Sequence, residues 1–362
     1  VGGPINYTGL TPGTVTDPMK GGVINPISVY PFPNFKAEQT KSYELGTNLR
    51  LFNNKINIDA TVYLTDTYNQ TFLSSMSPAS GYSGFYVQAG KVRNKGIELS
   101  LGYNDRFGKV GYATNLTYTA NRNKIMKMVH DYKNPSDGSL FSITELTLQD
   151  KGGVYLREKD AIGDVYVKGI LARGKDGKLI EEEGGYKVDR SQRIKIGSVN
   201  PDFSIGWRHN VTWNNITLDL LFNGRFGGIV TSSTQAFLDD YGVSKDTYKA
   251  RQNGGVWVNG TQYDAEKYYT TIGGEQLMAY YAYKATNIRL QEASLSYTLP
   301  GKWFGNVINR LTVSAIGRNL WMIYNKAPFD PEMTSSTGTY NRGDVFMPPS
   351  LRSVGFSVKI EL

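Results

Sequence analysis

The sequence has no cysteine and only two histidines, His130 and His209, in 362 residues. A disulfide framework, a thiolate metal centre, a cysteine nucleophile and a histidine-rich metal site are all excluded. It contains no apolar run approaching the roughly 18 residues that a spanning helix needs. It has no basic run interleaved with aromatics: its 40 Lys and Arg are scattered among 32 Asp and Glu, so the net charge of +8 marks no nucleic-acid surface. No secretory leader opens the chain, and Val1 stands in a stretch that reads as loop. An exported protein needs a leader, so the abrupt start suggests one section of a longer chain.

Aromatic residues are plentiful. There are 25 Tyr, 15 Phe and 5 Trp beside 40 Gly, and many of the tyrosines fall at the ends of strand-like segments. Belts at a membrane–water boundary use aromatics in that way. A tyrosine-rich soluble β protein would share the composition, so patterning has to decide.

The dominant pattern is a period of two. In SYELGTNLRLF, Tyr43, Leu45, Leu49 and Leu51 alternate with Ser42, Glu44, Asn48 and Arg50, and Asn53-Asn54 then makes a tight turn. KINIDATVYLT, GIELSLGY, VGYATNLTY, FSIGWRHNVTW and ITLDLLFNGR repeat the alternation. IRLQEASLSYTL slips phase near Gln291-Glu292, the mark of a bulge, and RLTVSAIGRN follows. The final LRSVGFSVKIEL alternates without a break to Leu362. Ending in mid-strand suits the closing strand of a barrel better than a sheet edge. The total is about nine strands of roughly ten residues, the length a tilted membrane strand needs.

Two features favour a membrane barrel over a soluble sandwich. Charges occupy the polar face in mid-strand, at Arg50, Asp59, Glu98, Arg208, Asp219 and Arg225, which suits a wet lumen. Connections also alternate in length. Short turns are expected at Asn53-Asn54, Asn104–Lys109, Asn214-Asn215 and Pro300–Arg310. Long excursions are expected at Asp66–Lys91, Asn121–Asp202, Phe226–Ala285 and Trp321–Pro349. That is the outer-membrane signature, with the short turns periplasmic. Within the second excursion, GDVYVKGILAR reads as a strand of an extracellular hairpin.

TKSYELGTNLRLFNNKINIDATVY, VRNKGIELSLGY, TNIRLQEASLSYTLP and SAIGRNLWMIYNKAPFDPEM, in this order and spacing, resemble the C-terminal part of SusC/RagA-type TonB-dependent transporters. The resemblance covers most of Phe35 to Leu362. It implies an all-β fold: a transmembrane antiparallel barrel of about 22 strands with a plugged lumen, of which these are the last nine. Residues 1–41 would be an extracellular loop leading into the barrel, and 42–362 the barrel section, with 121–202 and 226–285 as large extracellular loops. The family imports oligosaccharides or peptides across the bacterial outer membrane. It works with a SusD-like surface lipoprotein and with the TonB complex, reached through an N-terminal part not in this chain. Membrane lipid is the remaining partner; no cofactor, metal or catalytic residue is implied. The sequence departs from the family twice. A DxNGDG-like stretch is reduced to Asp176 and Gly177, so no calcium site is assigned. The last residue is Leu362 where such barrels usually end in an aromatic; Phe356 could serve the assembly signal instead.

Candidate chemistry is sparse. His130-Asp131 could form half of a hydrolase dyad, but the sequence nominates no third partner, and a solvated loop histidine is the simpler reading. His209 falls on the apolar face and is expected at the interface beside Trp213. The best binding material lies in 226–285: Asp239, Asp240, Tyr241, Trp257, Tyr263, Tyr268 and Tyr269 could stack on sugars or grip peptide side chains. Packing of these aromatics within the loop, or against the lipoprotein, is the competing reading. Pro328 and Pro331 make Ala327–Met333 a rigid turn. The five N-x-T sequons, at Asn6, Asn115, Asn210, Asn215 and Asn259, are read as chance matches. The rival readings are a small complete outer-membrane barrel acting as pore or hydrolase, and a soluble two-sheet protein.

Overall fold

The structure, a computed structural model, describes residues 29–30, 36–75, 84–133, 138–148, 154–305, 307–335 and 343–361. Most of the expected leading loop 1–41 lies outside these residues. The chain clusters into two compact units: Val1–Tyr43, Leu64–Lys95 and Arg122–Ile162 in one, and Glu44–Tyr63, Gly96–Asn121 and Gly163–Leu362 in the other.

Nine long strands carry the main sheet: β1 (Gln39–Leu51), β2 (Ile56–Ser75), β3 (Gly84–Phe107), β4 (Val110–Lys127), β5 (Phe203–Trp213), β6 (Ile216–Phe226), β7 (Asn287–Pro300), β8 (Arg310–Asn325) and β9 (Ser353–Glu361). Each pairs with the next in chain order. The tight turns are built by residues that tolerate a left-handed backbone: Asn53 and Asn54 have φ of 54° and 64°, and Asn214 has φ of 50°. The bulge expected at Gln291-Glu292 is present. Leu221 pairs with Glu292 and Phe222 with Leu290, so Gln291 is the extra residue.

The strands run further than the alternation alone suggests. Asp66–Lys91 is not a long excursion, because β2 continues to Ser75 and β3 begins at Gly84. TDTYNQTFLSS is too polar to show a two-residue period, and Asn69, at φ of 56°, interrupts it further. β4 likewise continues to Lys127, so the next excursion starts beyond it. Asp164–Leu171 pairs antiparallel with Val188–Ser198, the hairpin expected from GDVYVKGILAR.

In the second unit the two faces of the sheet separate cleanly. On one, Tyr112, Val211, Leu218, Leu295, Ala315 and Phe356 follow one another across β4 to β9 in register. Val110, Trp213, Ile216, Tyr297, Val313 and Val358 form the adjacent row. Phe356 is 84% exposed and Leu295 55%, which is affordable only against hydrocarbon. Phe52, Phe107, Trp213, Tyr297 and Trp303 stand exposed near the short turns, and Trp207 and Trp321 further up the strands, as aromatic girdles do. The other face is a polar ladder. Ser296 and Ser314 share a 2.8 Å hydroxyl contact, and Thr298 and Thr312 one of 3.1 Å. Arg318 donates to Glu292 at 2.9 Å. Among the described residues β1 pairs only with β2, and β9 only with β8, so these nine strands form part of a barrel wall and not a closed ring.

The Ala327–Met333 turn is anchored by more than its prolines. Arg289, buried on β7, donates to Asp330 at 2.9 Å, and both side chains are nearly inaccessible. Ser350 also donates to Asp330. Asn325 closes the turn by donating to the carbonyls of Ala327 and Phe329 and accepting from the Ala327 amide. Burial pushes the Asp330 carboxyl up, but the hydrogen bonds from Ser350, Arg289 and the Glu332 amide outweigh it and hold it below the usual carboxylate range.

Two outcomes follow from this geometry. Val354→Arg, further from the short turns, should cost about 2–4 kcal/mol of insertion, whereas Ser357→Arg, three residues on and facing the lumen, should be tolerated. Heat-modifiable mobility of the full-length protein in outer-membrane fractions separates the two; equal loss would overturn the assignment of faces. Because the folded Asp330 carboxyl is depressed, its contribution is present above the unfolded value of about 4 and is lost as pH falls through the folded value. Limited proteolysis of the 326–350 segment should therefore rise in acid. Asp330→Asn should expose the segment already at neutral pH, since it strands a buried guanidinium at a cost of about 3–5 kcal/mol.

Candidate cargo-facing site

The 226–285 excursion is not irregular. It folds into three short helices, α1 (Ser233–Asp240), α2 (Lys245–Gln252) and α3 (Ala265–Gly274). Each start is capped by a side chain: Ser232 accepts from the Gln235 amide, Ser244 from the Thr247 amide and Asp264 from the Lys267 amide. Ser232 also donates to the buried Asp344 at 2.6 Å. These caps, each three residues ahead of its partner, were the available sequence signal for helices that the strand alternation hid.

The helices pack against the Asp164–Ser198 hairpin region. Backbone amides of that segment donate to side-chain oxygens of the helical segment: Leu171 to the Tyr280 hydroxyl, Leu179 to the Tyr263 hydroxyl and Tyr186 to the Thr271 hydroxyl, each at 3.0 Å. Tyr186 meets the Tyr263 ring edge-on at 5.6 Å, and Tyr268 meets Tyr269 edge-on at 5.4 Å. The two long excursions thus share one core, built around Leu171, Tyr263, Tyr268, Ile272, Leu277 and Tyr281.

This core divides the candidate binding residues. Tyr263 and Tyr268 are buried in it, so their rings are committed to packing. Asp239 is also buried and accepts from Gln235 at 2.9 Å. Burial raises its carboxyl above the usual range, against the lowering effect of Ser244 and Gln235. Burial pushes the Tyr269 phenol up to about 12. Tyr241 and Trp257 are exposed, at 76% and 64%. Asp239, Asp240, Tyr241 and Tyr269 line one cavity of about 250 Å³ between the helices, together with Arg251, Glu266 and Thr270. Trp257 is outside that lining. Arg251 and Glu266, which the sequence did not single out, give the cavity both signs of charge. An aromatic edge beside paired hydrogen-bonding groups can hold a peptide or a sugar.

The six mid-strand charges lie on the polar face or at its end. Arg208 donates to Asp219 at 2.9 Å, and Asn210 to the same carboxylate at 3.1 Å. Asn48 donates to Asp59 at 2.9 Å, and Arg50 lines the same shallow recess as this pair. Glu98 is exposed on β3. Arg225 donates to the Val199 carbonyl at 2.6 Å. His130 is not a solvated loop side chain: its Nε2 lies 2.5 Å from Glu158, which also accepts from the Met128 amide. Burial pushes the Glu158 carboxyl up, but the bonds from His130 and Met128 outweigh it and leave it lowered. His209 packs 4.3 Å from Trp207, rather than on Trp213, and its Nδ1 lies 2.9 Å from the Tyr112 hydroxyl. Asp176 caps its own turn by accepting from the Lys178 amide.

The raised Asp239 carboxyl has the opposite linkage sign to Asp330. Its contribution is fully present below the unfolded value of about 4 and is lost as pH rises through the folded value. Asp239→Asn should therefore increase hydrogen-exchange protection of 233–240 at neutral pH. Reduced protection would overturn the view that the buried charge strains the loop.

The chain resembles known proteins along most of its length. Residues 4–157 match the family model described as TonB dependent receptor-like, beta-barrel. TonB-dependent receptor P3 of Formosa agariphila is 24% identical over 340 residues, covering 88% of this chain and 33% of that protein. TonB-dependent receptor P39 of the same organism is 21% identical over 360 residues, covering 86% and 34%. Among solved structures, the RagAB peptide transporter superposes with a TM-score of 0.64 at 18% identity, over 89% of this chain and 35% of that one. The RagAB peptide importer in its closed-closed state gives 0.68 at 18% identity, over 92% and 36%. The chain spans about a third of the length of these relatives. With the apolar and polar sides of its strands in place, it resembles a section of the β-barrel of TonB-dependent receptors.

Proposed function

We propose that this chain forms barrel wall and outer loops of a TonB-dependent importer that carries peptides or oligosaccharides across the outer membrane with a SusD-like surface lipoprotein. The observation that carries the reading is the separation of the sheet into an apolar outer face and a charged inner face, with a folded body between β4 and β7 on the side of the long connections. In this reading 42–362 is barrel, 121–202 and 226–285 are its large outer loops, and transport is gated by a plug, so no residue here performs covalent chemistry. Arg50, Asp59, Glu98, Arg208, Asp219 and Arg225 line the path around the plug. Asp240, Tyr241 and Tyr269, with Arg251, meet cargo at the helical cavity, and Trp257 meets cargo or the lipoprotein; Asp239, Tyr263 and Tyr268 hold the cavity in shape. Peptide is the favoured cargo, because RagAB is a peptide importer and the cavity offers carboxylates and a guanidinium to charged termini and side chains.

Cells carrying the full-length transporter and its lipoprotein should accumulate labelled peptides only when TonB is present. Tyr241→Ala with Asp240→Asn should lower uptake about tenfold, the effect of losing roughly 1.4 kcal/mol of contact, with surface expression unchanged. Uptake that persists without TonB would overturn the importer reading. TonB-dependent uptake of oligosaccharide alone would keep the importer and overturn the choice of cargo.

A further inference from the structure

The three short helices do not place their charges alike. The C-terminal end of a helix gathers partial negative charge on its last carbonyls, so cations are favoured there and carboxylates are not. α2 follows this: Asp246 stands in its first turn, and Lys249 and Arg251 in its last. α1 does the reverse, because it ends on Asp239 and Asp240 and has no basic residue in its last turn. The last turn of α3 has no basic residue either, and it lies against Asp240. Two glycines permit that approach. A Cβ on Gly273 would stand 2.7 Å from the Asp240 backbone nitrogen, and one on Gly274 would stand 3.1 Å from Asp240 Oδ1. Carboxylates are thus seated where two helices present their negative ends.

The protein does not neutralise these charges itself. Asp239, Asp240 and Glu266 line the cavity between the helices, and among the described residues none of the three forms an ion pair. Arg251 is the cation of the same lining, and its Nη1 is held by the Gly242 carbonyl at 2.9 Å. Asp239 is buried, and the charge that reaches it from Asp246 is also negative. Tyr281 is 1% exposed, and its hydroxyl, turned to Asp239, has no hydrogen bond of proper geometry. A buried carboxylate beside a buried hydroxyl without a bond costs stability until a further group enters. Tyr241 and Tyr269 bring aromatic rings to the same cavity.

We infer that this cavity takes a cationic group of a peptide, an ammonium or a guanidinium, and selects peptides that carry one over neutral and acidic peptides. The inference rests on the cargo reading above and narrows it. Asp240 and Glu266 accept from the N–H groups of the cation. Tyr241 and Tyr269 attract it through their ring faces. Asp239 and the end of α1 supply a field that favours positive charge. An acidic side chain would meet three carboxylates, and a neutral one would leave them without a counter-charge.

The test is direct binding to the purified full-length protein with its lipoprotein, in detergent, read by fluorescence polarisation of peptides labelled at the carboxyl end. Four N-acetylated peptides of one sequence carry lysine, arginine, norleucine or glutamate at the same central position. A fifth carries norleucine and a free amino terminus. The lysine and arginine peptides should bind about tenfold tighter than acetylated norleucine, with glutamate weakest, and salt should erode the difference. Tighter binding of the fifth peptide alone would support the same site with the amino terminus as its occupant. Asp240→Asn with Glu266→Gln should abolish the preference by weakening the cationic peptides, with norleucine binding unchanged. Glu182→Gln with Glu183→Gln removes the same charge elsewhere on the loops and should leave the preference intact. Should the first double variant fail to fold, the wild-type peptide series decides alone. Equal binding of all five peptides, or a preference kept by the folded double variant, would overturn the cation site. Neither result would touch the importer reading, which stands or falls on the TonB dependence of uptake.

Discussion

A strand that crosses hydrocarbon has to find a hydrogen-bond partner for every backbone amide and carbonyl within the sheet. That requirement fixes the pairing of the nine strands, and the pairing fixes everything carried on them. Once β5 is in register with β6, Arg208 and Asp219 share the lumen side while Val211 and Leu218 share the lipid side. A slip of one residue would exchange the two sets. Side-chain ion pairs on the inner face, such as Arg318 with Glu292, therefore depend on the ladder and do not create it.

The loop body obeys a different rule. Outside the membrane, water can satisfy backbone groups, and burial of apolar surface becomes the organising force. The aromatic residues that give the sequence its unusual composition serve both regimes. Tyr297 and Trp213 face outward at the sheet boundary, whereas Tyr263, Tyr268 and Tyr281 form a closed core. Two hydroxyls at this core, on Tyr263 and on the adjoining Tyr280, accept backbone amides of the neighbouring hairpin region. Packing commits those rings and leaves Tyr241, Tyr269 and Trp257 nearer the surface.

The barrel wall was legible because a two-residue period survives translation into structure almost unchanged. Strand number, tight turns, the bulge and the polar face could all be read from it. It failed at Thr65–Ser75, where the strand end is too polar to show a two-residue period. It also failed in the 226–285 segment, where helices of eight to ten residues are too short to show their own period against flanking strands. His130 was misjudged for a related reason: Glu158, its partner, is 28 residues away and nothing local announces it. The residues singled out for binding fall in one folded body. Their division between core and surface depends on long-range packing that no local pattern encodes.

The bulge at Gln291 has a consequence for the turn that follows β8. Between Glu292 and Pro300 the odd-numbered residues of β7 face lipid, as Leu295 and Tyr297 do. Beyond the extra residue the parity reverses, so Leu290 pairs with outward Phe222 and Arg289 with inward Asn223. Were Gln291 instead paired in regular alternation, Arg289 would project into the bilayer and Asp330 would have no guanidinium to hold it. One unpaired residue thus converts a lipid-facing row into the foundation of a loop, and the phase of the strand becomes the device that decides where the barrel wall ends and its superstructure begins.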